Sequence, residues 1–139
     1  MDYNFVFEGK EFALNEEKFI EFINDEEQPV EDINLEKILT LLNENKNNIE
    51  FEKSYYDEPC DKCNFGSKDD KFFPFLEYQF YINTKKNKYV TSNISKENDE
   101  NISFNKMKKA GKVDSSYIVF LEVCENCGEF FIVIEKVEE

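Results

Sequence analysis

Residues 117–137, YIVFLEVCENCGEFFIVIEKV, hold two runs of β-branched and aromatic side chains, Tyr117 to Val123 and Phe130 to Val137, with two cysteines between them. Side chains of this kind fit a pleated, buried surface, and a connection this short returns the chain antiparallel to itself. The segment therefore reads as a β-hairpin with Cys124 and Cys127 at its tip. Both runs are apolar on nearly every position, which predicts central strands covered on both faces, with helices from the N-terminal part as the cover.

Two cysteines separated by two residues set their sulfurs close enough to share a metal ion, and a second such turn completes a tetrahedral shell of thiolates. The chain has that second turn, Cys60 and Cys63, and no further cysteine. Gly128 and Asn64 follow the two turns, and both residue types tolerate the positive φ often needed there. In these residues the chain resembles the zinc-ribbon class, over Cys60 to Gly66 and Cys124 to Gly128. The resemblance implies one structural Zn²⁺ on Cys60, Cys63, Cys124 and Cys127. The interval between the pairs is about 60 residues, longer than the usual 15 to 20 or so, and the middle segment is expected to be an insertion. Spacing alone suits rubredoxin-type iron or an iron–sulfur cluster equally. Disulfides and a redox dithiol fit less well, because the second pair lies between strands and no export signal is recognisable. A four-thiolate shell leaves no open position, so the ion is expected to be structural, and its removal to unfold at least the C-terminal half.

Working back from the cysteines, Leu76, Tyr78, Phe80 and Ile82 alternate with mostly polar residues, and Lys85 to Lys88 turns that strand back through Tyr89 to Thr91. Ser103 to Lys112 reads as a short helix ended by Gly111. Ile49 and Phe51 begin a strand toward Tyr56. Leu35, Ile38, Leu39 and Leu42 recur at helical spacing, starting near Asp32 or Asn34. Asn15 is positioned to cap another helix, with Glu16 and Glu17 in its first turn and Phe19, Ile20 and Ile23 as its apolar stripe. Phe5, Phe7, Phe12 and Leu14 flank Glu8-Gly9 as an opening hairpin. The expected fold is α+β: a mainly antiparallel sheet, a C-terminal hairpin carrying half of a four-cysteine zinc site, and two N-terminal helices. A single domain, 1–139, is expected, with an acidic hairpin and two helices in 1–56 and a zinc-ribbon-like β part with an inserted hairpin in 57–139.

Charge restricts the function. The formal net charge is −14, and residues 1 to 59 contribute 17 acids against 5 lysines. Such a chain repels polyanions and suits a partner with a basic surface. The chain has no histidine and no glycine-rich phosphate loop, its cysteines are committed to metal, and no enzyme is expected. The acidic pairs Glu16-Glu17, Glu26-Glu27 and Asp69-Asp70 read as solvated surface. The expectation is a non-enzymatic zinc protein that binds another macromolecule, by analogy of size and charge an acidic inhibitor of the anti-CRISPR, antitoxin or immunity type that occupies a basic nucleic-acid-binding surface. The alternative is a nucleic-acid-binding ribbon in transcription or RNA metabolism, using a lysine patch of Lys85, Lys86, Lys88, Lys106, Lys108, Lys109 and Lys112 near Tyr89 and Phe104. No apolar run reaches the roughly 20 residues that cross a bilayer, so no membrane association and a cytoplasmic location are expected.

Overall fold

A computed structural model of the chain describes residues 2–46, 49–56, 73–94 and 104–137. The strands β1 (Tyr3–Phe7) and β2 (Lys10–Leu14) form the opening hairpin. Their turn residues Glu8 and Gly9 have φ of 48° and 82°, the left-handed pair that a two-residue hairpin with the strands' own twist requires. There follow β3 (Phe19–Ile23), α1 (Leu35–Glu44), β4 (Glu52–Tyr56), β5 (Phe73–Lys85), β6 (Lys88–Ser92), α2 (Phe104–Lys109), β7 (Ser115–Cys124) and β8 (Phe130–Lys136). The main sheet has the order β3-β8-β7-β5-β4, with β6 also pairing with β5.

Strand β7 alternates with a period of two. Tyr117, Val119, Leu121 and Val123 are completely buried on one face, opposite Ile82, Phe80, Tyr78 and Leu76 of β5 and next to Ile134, Ile132 and Phe130 of β8. The β1–β2 hairpin and α1 supply the other half of this core through Tyr3, Phe12, Leu14, Ile38, Leu39, Leu41 and Leu42. Phe5 is sandwiched between Phe12 and Phe51, with ring centroids 5.1 and 4.2 Å away. Helix α1 starts where Asn34 Oδ1 accepts from Lys37 N at 2.8 Å. Helix α2 ends with Gly111 at φ 74°, its N–H donating to Lys108 O while Lys112 N donates to Met107 O, the paired closure that a left-handed glycine permits.

The architecture departs from the α+β expectation. Among the described residues it is mostly β, with two short helices, and the main sheet is mixed. A single helix, α1, lies in the N-terminal part of the described chain. Asn15 does cap a turn, its Oδ1 accepting from Lys18 N at 3.1 Å, but the turn does not propagate. Phe19–Ile23 instead forms an edge strand parallel to β8, with a bulge between Phe19 and Glu21. Four aromatic and β-branched residues, Phe19, Ile20, Phe22 and Ile23, gain more from a ladder and an apolar neighbour than from one marginal turn of helix. Strands β7 and β8 are central as expected, but only one face is deeply buried. Ile118, Phe120, Phe131 and Val133 on the other face are half-buried. The middle segment is part of the main sheet, because β5 pairs with β7 over ten register positions.

The loop after β3 is tied down by carboxylate and amide side chains. Asp25 Oδ1 accepts from Gln28 N (2.9 Å) and Glu27 N (3.0 Å), and Oδ2 accepts from Lys136 N (3.0 Å). Tyr117 Oη donates to Gln28 O at 2.9 Å. The backbone N–H of Gln28, then that of Lys136, lowers the Asp25 pKa. A lowered folded-state pKa means the stabilisation is full above the ordinary Asp value of about 4 and is lost as pH falls through the folded value. Asp25→Asn is therefore expected to reduce stability at neutral pH. In urea melts, the gap between variant and wild type is expected to close as pH drops below about 4.

Candidate metal centre

The β7–β8 turn is Cys124-Glu125-Asn126-Cys127-Gly128. It closes through Gly128 N to Cys124 O at 2.9 Å and Cys124 N to Glu129 O at 2.8 Å. Gly128 has φ 78°, as its place after the second cysteine predicted. Cys124 is 3% exposed and, with Cys127, packs against Phe75 and Phe131 in a small apolar cluster separate from the main core. Cys60 and Cys63, with Asn64, Gly66, Asp69 and Asp70, lie outside the described residues.

Three lysines converge on this turn. Lys10 Nζ donates to the carbonyl oxygens of Glu125 (2.7 Å) and Asn126 (2.8 Å), and Lys18 Nζ to that of Cys127 (3.2 Å). Lys53 Nζ lies 3.2 Å from Glu125 Oε1 and 3.7 Å from Glu8 Oε2. In a trans peptide the N–H points opposite to the C=O, so carbonyls drawn toward Lys10 direct the N–H groups of Asn126 and Cys127 to the side away from it. Successive N–H groups on one side make a concavity suited to a negative group, which a metal-bound thiolate is. The donor chemistry and the turn geometry thus fit a Cys-x-x-Cys metal knuckle. The lysines do not stand out in the sequence, although Lys53 leaves a signal: in the alternation Ile49, Phe51, Lys53 a cation follows two apolar residues on the same face.

The outer face of the sheet beside this cluster is acidic. The register aligns Glu52 with Glu77, Glu77 with Glu122, Glu122 with Phe131 and Phe131 with Glu21, one row across five strands. Like charges directly opposite one another on neighbouring strands weaken a ladder by a few tenths of a kcal/mol to about 1 kcal/mol. Next to this row lie Gln79, Phe120, Val133 and Ile23, then Tyr81, Ile118 and Glu135, with Tyr81 44% and Ile23 40% exposed. The acidic surface is therefore not confined to the N-terminal part.

The lysine-rich segments meet at the far end of β5. Lys85 Nζ donates to Gly111 O, and Lys86 N donates to Asp114 Oδ2 at 2.9 Å, joining the β5–β6 turn to the end of α2. Lys85, Lys86, Lys88, Lys106, Lys108, Lys109 and Lys112 are exposed there. Tyr89 stands under Lys37 Nζ, 4.9 Å from its ring centroid. Among the described residues, no group of three or more metal-ligating side chains gathers, and no helix is long and apolar enough to cross a membrane.

An added Cβ at Gly128 would meet Phe12 Cδ1 at an ordinary 3.8 Å, so the cost of substitution comes from the left-handed backbone and not from crowding. Gly128→Ala is expected to destabilise the protein by about 1–2 kcal/mol in denaturant unfolding, and Gly128→Asn by less.

No curated protein and no solved structure matches the chain. A family model described as protein of unknown function (DUF3785) matches residues 3–139, and the chain belongs to that family.

Proposed function

We propose that the chain is a non-enzymatic binding module whose sheet is stapled by one structural zinc ion on Cys60, Cys63, Cys124 and Cys127, and that it docks a partner with a basic surface. The observation that carries the metal assignment is topological. Tyr56 pairs with Phe73 and Phe75 pairs with Cys124, so the connection from β4 to β5 leaves the sheet at the end where the β7–β8 turn lies. Cys60 is four residues beyond Tyr56, a reach of up to about 14 Å, against a lateral distance of two strand spacings, about 10 Å. The long interval between the pairs is accounted for by β5, β6, α2 and β7, whose pairing returns the chain to its starting end. Zinc is the ion of choice for four thiolates in a closed shell, and such a shell leaves no position for substrate.

The partner assignment is supported by the row Glu52, Glu77 and Glu122 with Phe131 and Phe120 beside it. A ladder that sets like charges opposite one another gains when a cationic surface covers it, and half-buried aromatics supply apolar contact. An inhibitor of the anti-CRISPR, antitoxin or immunity type, covering the basic nucleic-acid groove of another protein in the cytoplasm, fits this charge. The second reading, direct nucleic-acid binding, is favoured by the lysines gathered where Lys85 meets Gly111.

Protein purified without added metal is expected to carry one zinc per chain by native mass spectrometry and elemental analysis, and Cys124→Ser none. Because the sheet has a core of its own, chelation is expected to lower the thermal midpoint and loosen the cysteine end without dissolving the fold. Iron, or no metal with two disulfides, would overturn the assignment. For the partner, wild-type protein is expected to retain a basic protein from host lysate, released by salt and lost in the triple variant Glu52→Gln, Glu77→Gln, Glu122→Gln. Retention of labelled RNA or DNA instead, lost on Lys85→Gln, Lys86→Gln and Lys109→Gln, would favour the second reading.

A further inference from the structure

The lysines at the cysteine turn come from three separate places in the chain: Lys10 opens β2, Lys18 precedes β3 and Lys53 lies within β4. None is close to the turn in sequence, so three separate segments have each delivered a cation to it, two to its backbone oxygens and one to the Glu125 carboxylate. The turn they surround is already anionic. Glu125 and Glu129 both contribute carboxylates, and one oxygen of each, Oε2, is enclosed without a hydrogen-bond partner among the described residues. A zinc ion on four thiolates adds a further net charge of −2. The lysines also bind the turn in a particular sense. Lys10 and Lys18 take its carbonyl oxygens, and the Lys10 ammonium also stands over the Phe12 ring, 5.2 Å from its centroid. Phe12 in turn lies against Gly128.

We propose that Lys10, Lys18 and Lys53 are positioning residues of the metal centre: they offset the charge of the zinc tetrathiolate and hold the turn by its carbonyl oxygens and the Glu125 carboxylate, so that the N-terminal hairpin is part of the site. The inference rests on the zinc assignment above. Lysines that served only to cap loose carbonyls would stabilise the metal-free protein and leave metal affinity alone. Charge-balancing lysines act on the affinity itself, and their effect is screened by salt.

The test is zinc affinity, measured by competition with a chromophoric chelator, in wild type, in Lys10→Met, Lys18→Met and Lys53→Met singly and combined, and in the corresponding Lys→Arg variants. Stability of the metal-free forms and the cobalt(II) thiolate absorption band are recorded alongside. Each Met substitution is expected to weaken zinc about threefold to tenfold and the triple about a hundredfold, an order expected for partly screened charges near a dianion. The Arg variants are expected to remain within about threefold of wild type, and the differences to shrink between about 0.05 M and about 0.5 M salt. A triple Met variant that binds zinc as tightly as wild type, while Cys124→Ser binds none, would overturn the inference and leave the zinc assignment standing. Wild-type protein that binds no zinc would bring down both, before any lysine is changed. If the triple variant does not fold, the exposed Lys10→Met and Lys18→Met variants decide by the same criterion.

Discussion

The ladder between β5 and β7, ten paired positions from Phe75 with Cys124 to Thr84 with Ser115, is the constraint on which the rest of the molecule depends. It sets Phe80 and Ile82 against Val119 and Tyr117 and so defines which face of the sheet is buried. Strands β4, β6 and β8 are attached to one of these two, and β3 is attached through β8. Because the side-chain period is two, a slip of one position would turn Leu121 outward and Phe120 inward and would separate Phe75 from Cys124. The core and the candidate metal centre are therefore specified by the same register.

That coupling divides the molecule along the strand axis. One end of β5 and β7 carries the cysteine turn, with Lys10, Lys18 and Lys53 around it. The other carries the exposed lysines of the β5–β6 turn and α2. Between them the outer face presents glutamates and half-buried aromatics. A net charge of −14 conceals this arrangement, since a sum over the chain says nothing of which residues the register aligns.

Much of this was legible in the residues. The C-terminal hairpin, the opening hairpin with its Glu8-Gly9 turn, the returning turn at Lys86-Asn87 and helix α1 with Asn34 at its cap all follow from local rules of period, turn chemistry and capping. Gly128 was readable for the same reason. The segment Phe19–Ile23 was not. Its five residues fit a helical stripe and a strand alike, and what decides is a partner, β8, more than a hundred positions away. The row Glu52, Glu77 and Glu122 was hidden for a related reason: each acid is an ordinary outward residue on its own strand, and only long-range pairing aligns them. The lysines about the turn belong to three remote segments, and only Lys53, on the same face as Phe51, breaks a pattern.

The parallel pairing of β3 with β8 also bears on the order in which the molecule can assemble. Strand β3 must wait until β8, more than a hundred residues later, has been synthesised before its backbone groups find partners. Until then, Phe19, Ile20, Phe22 and Ile23 form an adhesive segment with an open edge, next to the acidic stretch Asp25 to Glu27. Charge beside an unpaired apolar strand discourages association with other chains, so the acidity of this loop guards the nascent polypeptide during the interval before the sheet closes.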